Sequence, residues 1–213
     1  AITSLTPSAS SLVRGQSVTL TATAGDEDGT IARVDFYRDA NADGIADTEE
    51  FFGSDADASD GYTFTFGATT ALPLGFNSFL AVANDNDGGL STPRPASVTF
   101  TNAVPTIASL TPSVSSVDRG QSFTLTANSA ADIDGTITRV DFYRDANNNG
   151  IADAGELIGS DTNAAGGFTF GLTVPTTAAL GTQAYLAVAS DNDGGLSSPK
   201  SAPVTFTNAV PTI

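Results

Sequence analysis

The chain has 213 residues, 40% of them hydrophobic, which is enough for two ordinary domains with real cores and argues against wholesale disorder. Eight Lys and Arg face 24 Asp and Glu, and the resulting charge of −16 sets the chain against nucleic acid and anionic lipid as partners. Cys, His, Met and Trp are absent, so disulfides, zinc–thiolate sites and Ser–His or Cys–His catalysis are excluded.

Residues 2–8 read as a first strand. Residues 17–23 alternate Val18, Leu20 and Ala22 with Ser and Thr, the period-two pattern of a half-buried strand. Residues 31–38 alternate again, with Val34 and Phe36 on one face and Arg33, Asp35 and Tyr37 on the other. Short strands are expected at 51–55 and at 61–66, where Tyr62, Phe64 and Phe66 alternate with Thr. Residues 69–75 hold at most one helical turn. Residues 76–84 are apolar on both parities, as in a central strand. Residues 90–102 carry Pro93 and Pro95, which favour an edge or a bulge. The pattern is all-β, with about seven strands at the spacing of an antiparallel sandwich. The aromatic rows, with Phe79 and their later counterparts Phe142, Phe168, Phe170 and Tyr185, are expected in the core. Tyr37 and Tyr143 fall on the opposite parity and are expected to be exposed.

Between the second and third of the longer runs lies the most informative stretch, residues 39–50. Asp39, Asn41, Asp43, Asp47 and Glu50 place side-chain oxygens at positions 1, 3, 5, 9 and 12, and Gly44 stands at position 6. This is the ligand spacing of an EF-hand-type calcium loop. A chain wrapped round one hard cation points alternate short side chains at it. The glycine permits the sharp turn, and Ile45 at position 7 would give its backbone carbonyl. Glu50 has the reach to close the sphere. The same loop returns as Asp145, Asn147, Asn149, Ile151, Asp153 and Glu156 around Gly150, with Asn149 in place of Asp43. The competing reading is a pair of solvated Asx/Gly turns. The added charge at Asp43 predicts tighter binding by the first loop.

The loop recurs because the whole chain repeats. Arg14-Gly15-Gln16-Ser17 returns as Arg119-Gly120-Gln121-Ser122, and Val98-Thr99-Phe100-Thr101-Asn102 as Val204-Thr205-Phe206-Thr207-Asn208. Two domains are expected, 1–104 and 105–213. Pro211-Thr212-Ile213 matches Pro105-Thr106-Ile107, so a longer tandem array is expected, with this chain an excised or processed piece of it. Two further acidic pairs recur in each repeat: Asp26 and Asp28 with Asp85 and Asp87, then Asp132 and Asp134 with Asp191 and Asp193. In a sandwich these loops share an end, where a cation between them is one reading and tight-turn chemistry the other. The loop at 39–50 is expected at the opposite end, facing the second repeat across a short, stiff, proline-bearing connector.

The motifs Asp-x-Asp-Gly-Thr-Ile at 26–31, Arg-Val-Asp-Phe-Tyr-Arg-Asp at 33–39 and Leu-Ala-Val-Ala-x-Asp-Asn-Asp-Gly-Gly-Leu-Ser at 80–91 (each repeated, with small variations, in the second half) resemble bacterial immunoglobulin-like repeats of long secreted and cell-surface proteins. The resemblance implies two tandem immunoglobulin-like antiparallel β-sandwiches of about seven strands each. It also implies an extracellular or bacterial cell-surface setting. The loops resemble those of EF-hands and dockerins, although their flanks read as strands. The expected function is a calcium-binding structural spacer or stalk repeat of an adhesin-type protein, not an enzyme. Its partners would be Ca2+ and neighbouring repeats of the same chain, with the chain itself monomeric. The alternative is an accessory module that binds a glycan or a cell-surface protein. No 18-residue apolar run is present, so direct membrane insertion is not expected.

Overall fold

The computed structural model describes residues 1–210. The match of residues 211–213 to 105–107 lies outside the described residues. The chain divides into two compact units, Ala1–Asn102 and Ala103–Ile213, a break just ahead of the one read from the repeat.

In unit 1, β1 (Ile2–Pro7), β3 (Ser17–Ala24) and β6 (Tyr62–Gly67) form one sheet in the order β1-β3-β6. The facing sheet runs β2-β8-β7-β4-β5, from β2 (Ser11–Val13), β8 (Arg94–Thr101), β7 (Gly75–Asp85), β4 (Ile31–Asp39) and β5 (Phe51–Asp55). Unit 2 repeats this. Its smaller sheet holds β9 (Ser109–Pro112), β11 (Ser122–Asn128) and β14 (Phe168–Thr173). Its larger sheet holds β10 (Ser116–Asp118), β16 (Lys200–Thr207), β15 (Gly181–Asp191), β12 (Ile137–Asp145) and β13 (Leu157–Asp161). Each unit is an immunoglobulin-like β-sandwich.

Eight strands per unit, among the described residues, exceed the seven expected, because the first segment switches sheets. β1 pairs antiparallel with β3, whereas β2 pairs in parallel with β8. Three residues carry too little pattern to be read as a separate strand. The last strand starts at Arg94, later than expected, because Pro93 has no N–H to give the ladder. Pro95 is tolerated inside β8, since β2 reaches only residues 99–101 and leaves that side of the strand uncovered.

Strand alternation delivers the core. Val18, Leu20 and Ala22 of β3 face Val34 and Phe36 of β4, with Phe66, Phe79 and Phe100 around them. Phe36 is fully buried and stacks on Phe64 with ring centroids 5.7 Å apart, and Phe142 on Phe170 repeats the contact at 5.6 Å. β7 lies in the middle of its sheet, and Leu80 and Val82 on its outward face are buried as well. On that face Asp35 is buried too, because the Arg33 guanidinium forks onto both its oxygens and the Asn84 amide adds a third bond. Tyr37 is only half-buried, edge-on to an exposed Phe51.

Gly53 makes the stack possible. A Cβ there would stand 2.1 Å from the Phe64 ring, and the same holds for Gly159 against Phe170. Gly53→Ala should therefore force the ring off its seat and lower the stability of unit 1 by about 1–3 kcal/mol in urea unfolding. A change below about 0.5 kcal/mol would mean that the inter-sheet gap adapts freely.

Candidate metal centre

Each long loop begins where a core strand ends. β4 carries Phe36 into the core and leaves Asp39 at its last position, opposite Ser78 of β7. Asp39 is buried. Its Oδ1 accepts from the Asp43 N–H at 3.1 Å, and its Oδ2 accepts from the Gly44 N–H at 3.3 Å and from the Ser78 hydroxyl at 3.1 Å. Asn41 Oδ1 accepts from Asp43 N–H, and Asp43 Oδ1 from Ile45 N–H. The backbone coils round these oxygens by taking the left-handed conformation at Ala42 (φ 59°) and Gly44 (φ 75°). One 3-10 turn, Thr48–Glu50, follows and leads straight into β5. Strands and a single turn, not helices, therefore flank the loop.

Glu50 closes the loop. Its Oε1 accepts from Ala40 N–H at 2.7 Å and from Asn41 N–H at 3.4 Å. Its Oε2 is buried and has no hydrogen-bond partner. Unit 2 repeats this: Glu156 Oε1 accepts from Ala146 and Asn147 N–H, and Glu156 Oε2 is buried and unpartnered. A buried carboxylate oxygen without a partner carries a desolvation cost of about 1–3 kcal/mol. The cost recurs at position 12 of both loops, where the spacing puts a metal ligand.

The loops differ in their charges. Asp47 lies among Asp43, Glu50, Glu49 and Asp39. Partial desolvation first, then those like charges, holds its carboxyl above the ordinary carboxylate range. In unit 2 the Asn147 and Asn149 amides both donate to Asp153 Oδ2. Ala184 stands opposite Asp145 where unit 1 has Ser78, so Asp145 is held by the Asn149 and Gly150 amides without that hydroxyl. Ile45 and Ile151 expose their side chains, and the Ile151 carbonyl accepts from Asp153 N–H. Among the described residues no three acidic side chains stand close enough to form a ready-made metal cage. The oxygens are turned instead toward loop amides.

The acids at the other end of each sandwich divide differently. Asn86 Oδ1 accepts from the N–H and hydroxyl of Thr30, which ties the two short loops together, and Asn192 does the same with Thr136. Asp85 Oδ1 accepts from Asp87 and Gly89 N–H, and Asp191 Oδ1 from Asp193 and Gly195 N–H. Asp26 lies beside Gly29 and Asn86. Asp28 is exposed, but its counterpart Asp134 is buried and accepts from Ala103 N–H. The carboxyl of Asp132 is raised by burial first, with the charges of Asp134 and Asp191 adding to the rise and a bond from the Asp134 amide opposing it.

Ser78, Asn86 and Asn192 were not among the residues singled out from the sequence. Each acts across a strand register or between loops, and only the repeated Asn-Asp of 86–87 and 192–193 hints at a role.

Residues 1–81 match the family of bacterial Ig domains. Solved structures similar to the chain include fibronectin(III)-like modules of Clostridium thermocellum CbhA, at 24% identity over 97% of this chain and 95% of that one, with a TM-score of 0.39. Murine CEACAM1b follows at 11% identity over 96% and 98%, with a TM-score of 0.39. A Bacteroides ovatus SGBP-B in complex with a mixed-linkage heptasaccharide matches at 16% identity over 94% of this chain and 43% of that one, with a TM-score of 0.31. At these scores the likenesses add nothing to the fold described above. No curated protein matches the chain. The fold is that of two immunoglobulin-like sandwiches in tandem, and the family match falls within the first of them.

The raised carboxyl of Asp132 gives a pH test. Its ionised form is penalised in the fold, so metal-free unit 2 is less stable above the folded pKa, and protonation relieves the penalty as pH falls through it. Asp132→Asn should raise the melting temperature of chelator-treated protein at neutral pH, and the gain should shrink at acid pH. A gain that stays constant with pH would assign the effect to something other than this charge.

Proposed function

We propose that the chain is a pair of calcium-stiffened structural repeats from an extracellular bacterial protein. The observation that supports this most is the buried, unpartnered Oε2 of Glu50, repeated at Glu156. An oxygen-only donor set fits a hard cation that takes six to eight oxygens at about 2.3–2.6 Å. Asp39, Asn41, Asp43, Asp47, Glu50 and the Ile45 carbonyl would hold the ion in unit 1. Asp145, Asn147, Asn149, Asp153, Glu156 and the Ile151 carbonyl would hold it in unit 2. The ion would supply charge neutralisation and a cross-link between the end of one strand and the start of the next. In a cysteine-free chain of charge −16, that cross-link replaces the disulfide of other extracellular sandwiches. Of the acids at the other end of each sandwich, Asp85 and Asp191 are assigned to loop closure, through the amides that their Oδ1 atoms accept.

The bacterial Ig match supports a setting outside the cell or on its surface. The near-identity of the repeats supports a spacer that presents another part of a long protein.

Calorimetric titration of Ca2+ into chelator-stripped protein should show two sites, the tighter one lost in Glu50→Gln and the weaker in Glu156→Gln. Calcium at 100 times its dissociation constant should stabilise each unit by about 2.7 kcal/mol, read as a rise in melting temperature. No heat and no shift would reduce both loops to turns. A tighter site in unit 2 would overturn the ranking based on Asp43.

A further inference from the structure

Unit 2 contains a cavity of about 450 Å³ at the end of the sandwich where β12 finishes. Its walls are Phe123, Leu172, Tyr185 and Phe206, drawn from both sheets. In unit 1 the corresponding space is packed differently. Phe52, Phe66 and Phe79 rest on one another there, with centroids 4.8–6.0 Å apart. Leu72, from the loop between β6 and β7, is buried in the same cluster. The repeat puts Ile158 at the place of Phe52, Leu172 at that of Phe66 and Ala178 at that of Leu72. At the place of Val18 the repeat has the larger Phe123, which offsets part of the lost volume.

The loop is also held differently. In unit 1 the Asn77 amide donates to the Pro73 and Gly75 carbonyls and pins the loop over the core. The matching residue in unit 2 is Gln183, whose Oε1 accepts instead from Arg144 Nη2 at 2.7 Å. Arg119 holds the loop from the side, donating to the Ala178 carbonyl.

Arg144 lines the cavity and is exposed, so a cation stands at the mouth of an apolar chamber. It shares its strand parity with Phe142 and thus belongs to the inward face. Asp145, the next residue, falls on the opposite face and is occupied by the Asn149 and Gly150 amides. Burial holds the Tyr185 phenol above its ordinary pKa, and the charge of Arg144, which lines the same cavity, partly offsets this.

We propose that this cavity is a binding site for a small organic carboxylate with an apolar body, whose head group exchanges with Gln183 on Arg144. The volume falls within the range of about 300–1,000 Å³ that small-molecule sites occupy. A carboxylate brings a full negative charge to the arginine, where the Gln183 amide oxygen brings only a dipole, so the pair is the stronger of the two. The site belongs to unit 2 and is independent of the calcium reading.

Hexanoate titrated into the isotope-labelled full chain, with and without chelator, should give saturable amide shifts centred on Leu172, Ala178 and Tyr185. The neutral control 1-hexanol should bind about tenfold more weakly, and Arg144→Gln should bring hexanoate down to that level. Ala178→Leu restores the residue that unit 1 uses and should abolish the shifts without lowering the melting temperature. Leu172→Phe, also a unit 1 residue, provides the same block should the first variant disturb the loop. Shifts that do not saturate, shifts that survive both fillings, or hexanol binding as tight as hexanoate would each overturn the proposal.

Discussion

Phe36 lies flat on Phe64 across the gap between two sheets, and most of unit 1 can be traced from that contact. The stack needs a strand without a side chain beneath it, which Gly53 supplies. It fixes β4 relative to β6, and β4 in turn fixes the position of Asp39 at its end. The acidic loop therefore starts from a rigid point in the core rather than from a mobile connection. Unit 2 repeats the arrangement through Phe142, Phe170, Gly159 and Asp145. A hydrophobic contact thus decides where the carboxylates go.

The two loops share a plan and differ in how it is strained. Loop one places Ala42 in the left-handed region, where a residue with a Cβ costs roughly 1 kcal/mol. Loop two places Asn148 there, a residue type that tolerates the conformation. Loop one crowds Asp47 with four other acids, whereas loop two ties Asp153 to asparagine amides. Loop one is thus the more strained and the more charged, and loop two is relaxed by its own side chains. The orphaned oxygen at position 12 is common to both.

The parts of this structure legible in the sequence are the local ones. Alternation of Val18, Leu20 and Ala22 with threonine places β3 and its buried face, and the spacing from Asp39 to Glu50 places the loop. The repeat reveals the second copy of each. The parts that were not legible depend on distant residues meeting. Ser78 reaches Asp39 through a register between β4 and β7, which no spacing encodes. The exchange of Leu72 for Ala178 looks conservative along the chain and acquires meaning only where three other substitutions meet it. Asp35 reads as a solvated outward residue, yet a neighbouring guanidinium two positions away covers it. The strand Ser11–Val13 is too short to announce itself, and its parallel pairing cannot be seen before the last strand is in place.

That short strand has a mechanical consequence. β2 follows the entry of the chain into unit 1, and β8 precedes its exit. The two run side by side in the same direction, so the polypeptide enters and leaves at opposite ends of the pair. A tensile load between those ends pulls the strands past each other lengthwise. The bond from Thr99 N–H to the Ser10 carbonyl and that from Arg14 N–H to the Thr101 carbonyl would bear the load together, not in sequence. Unit 2 carries the same clasp, from Thr205 to Ser115 and from Arg119 to Thr207. Each repeat is thus built to resist shear rather than to unzip.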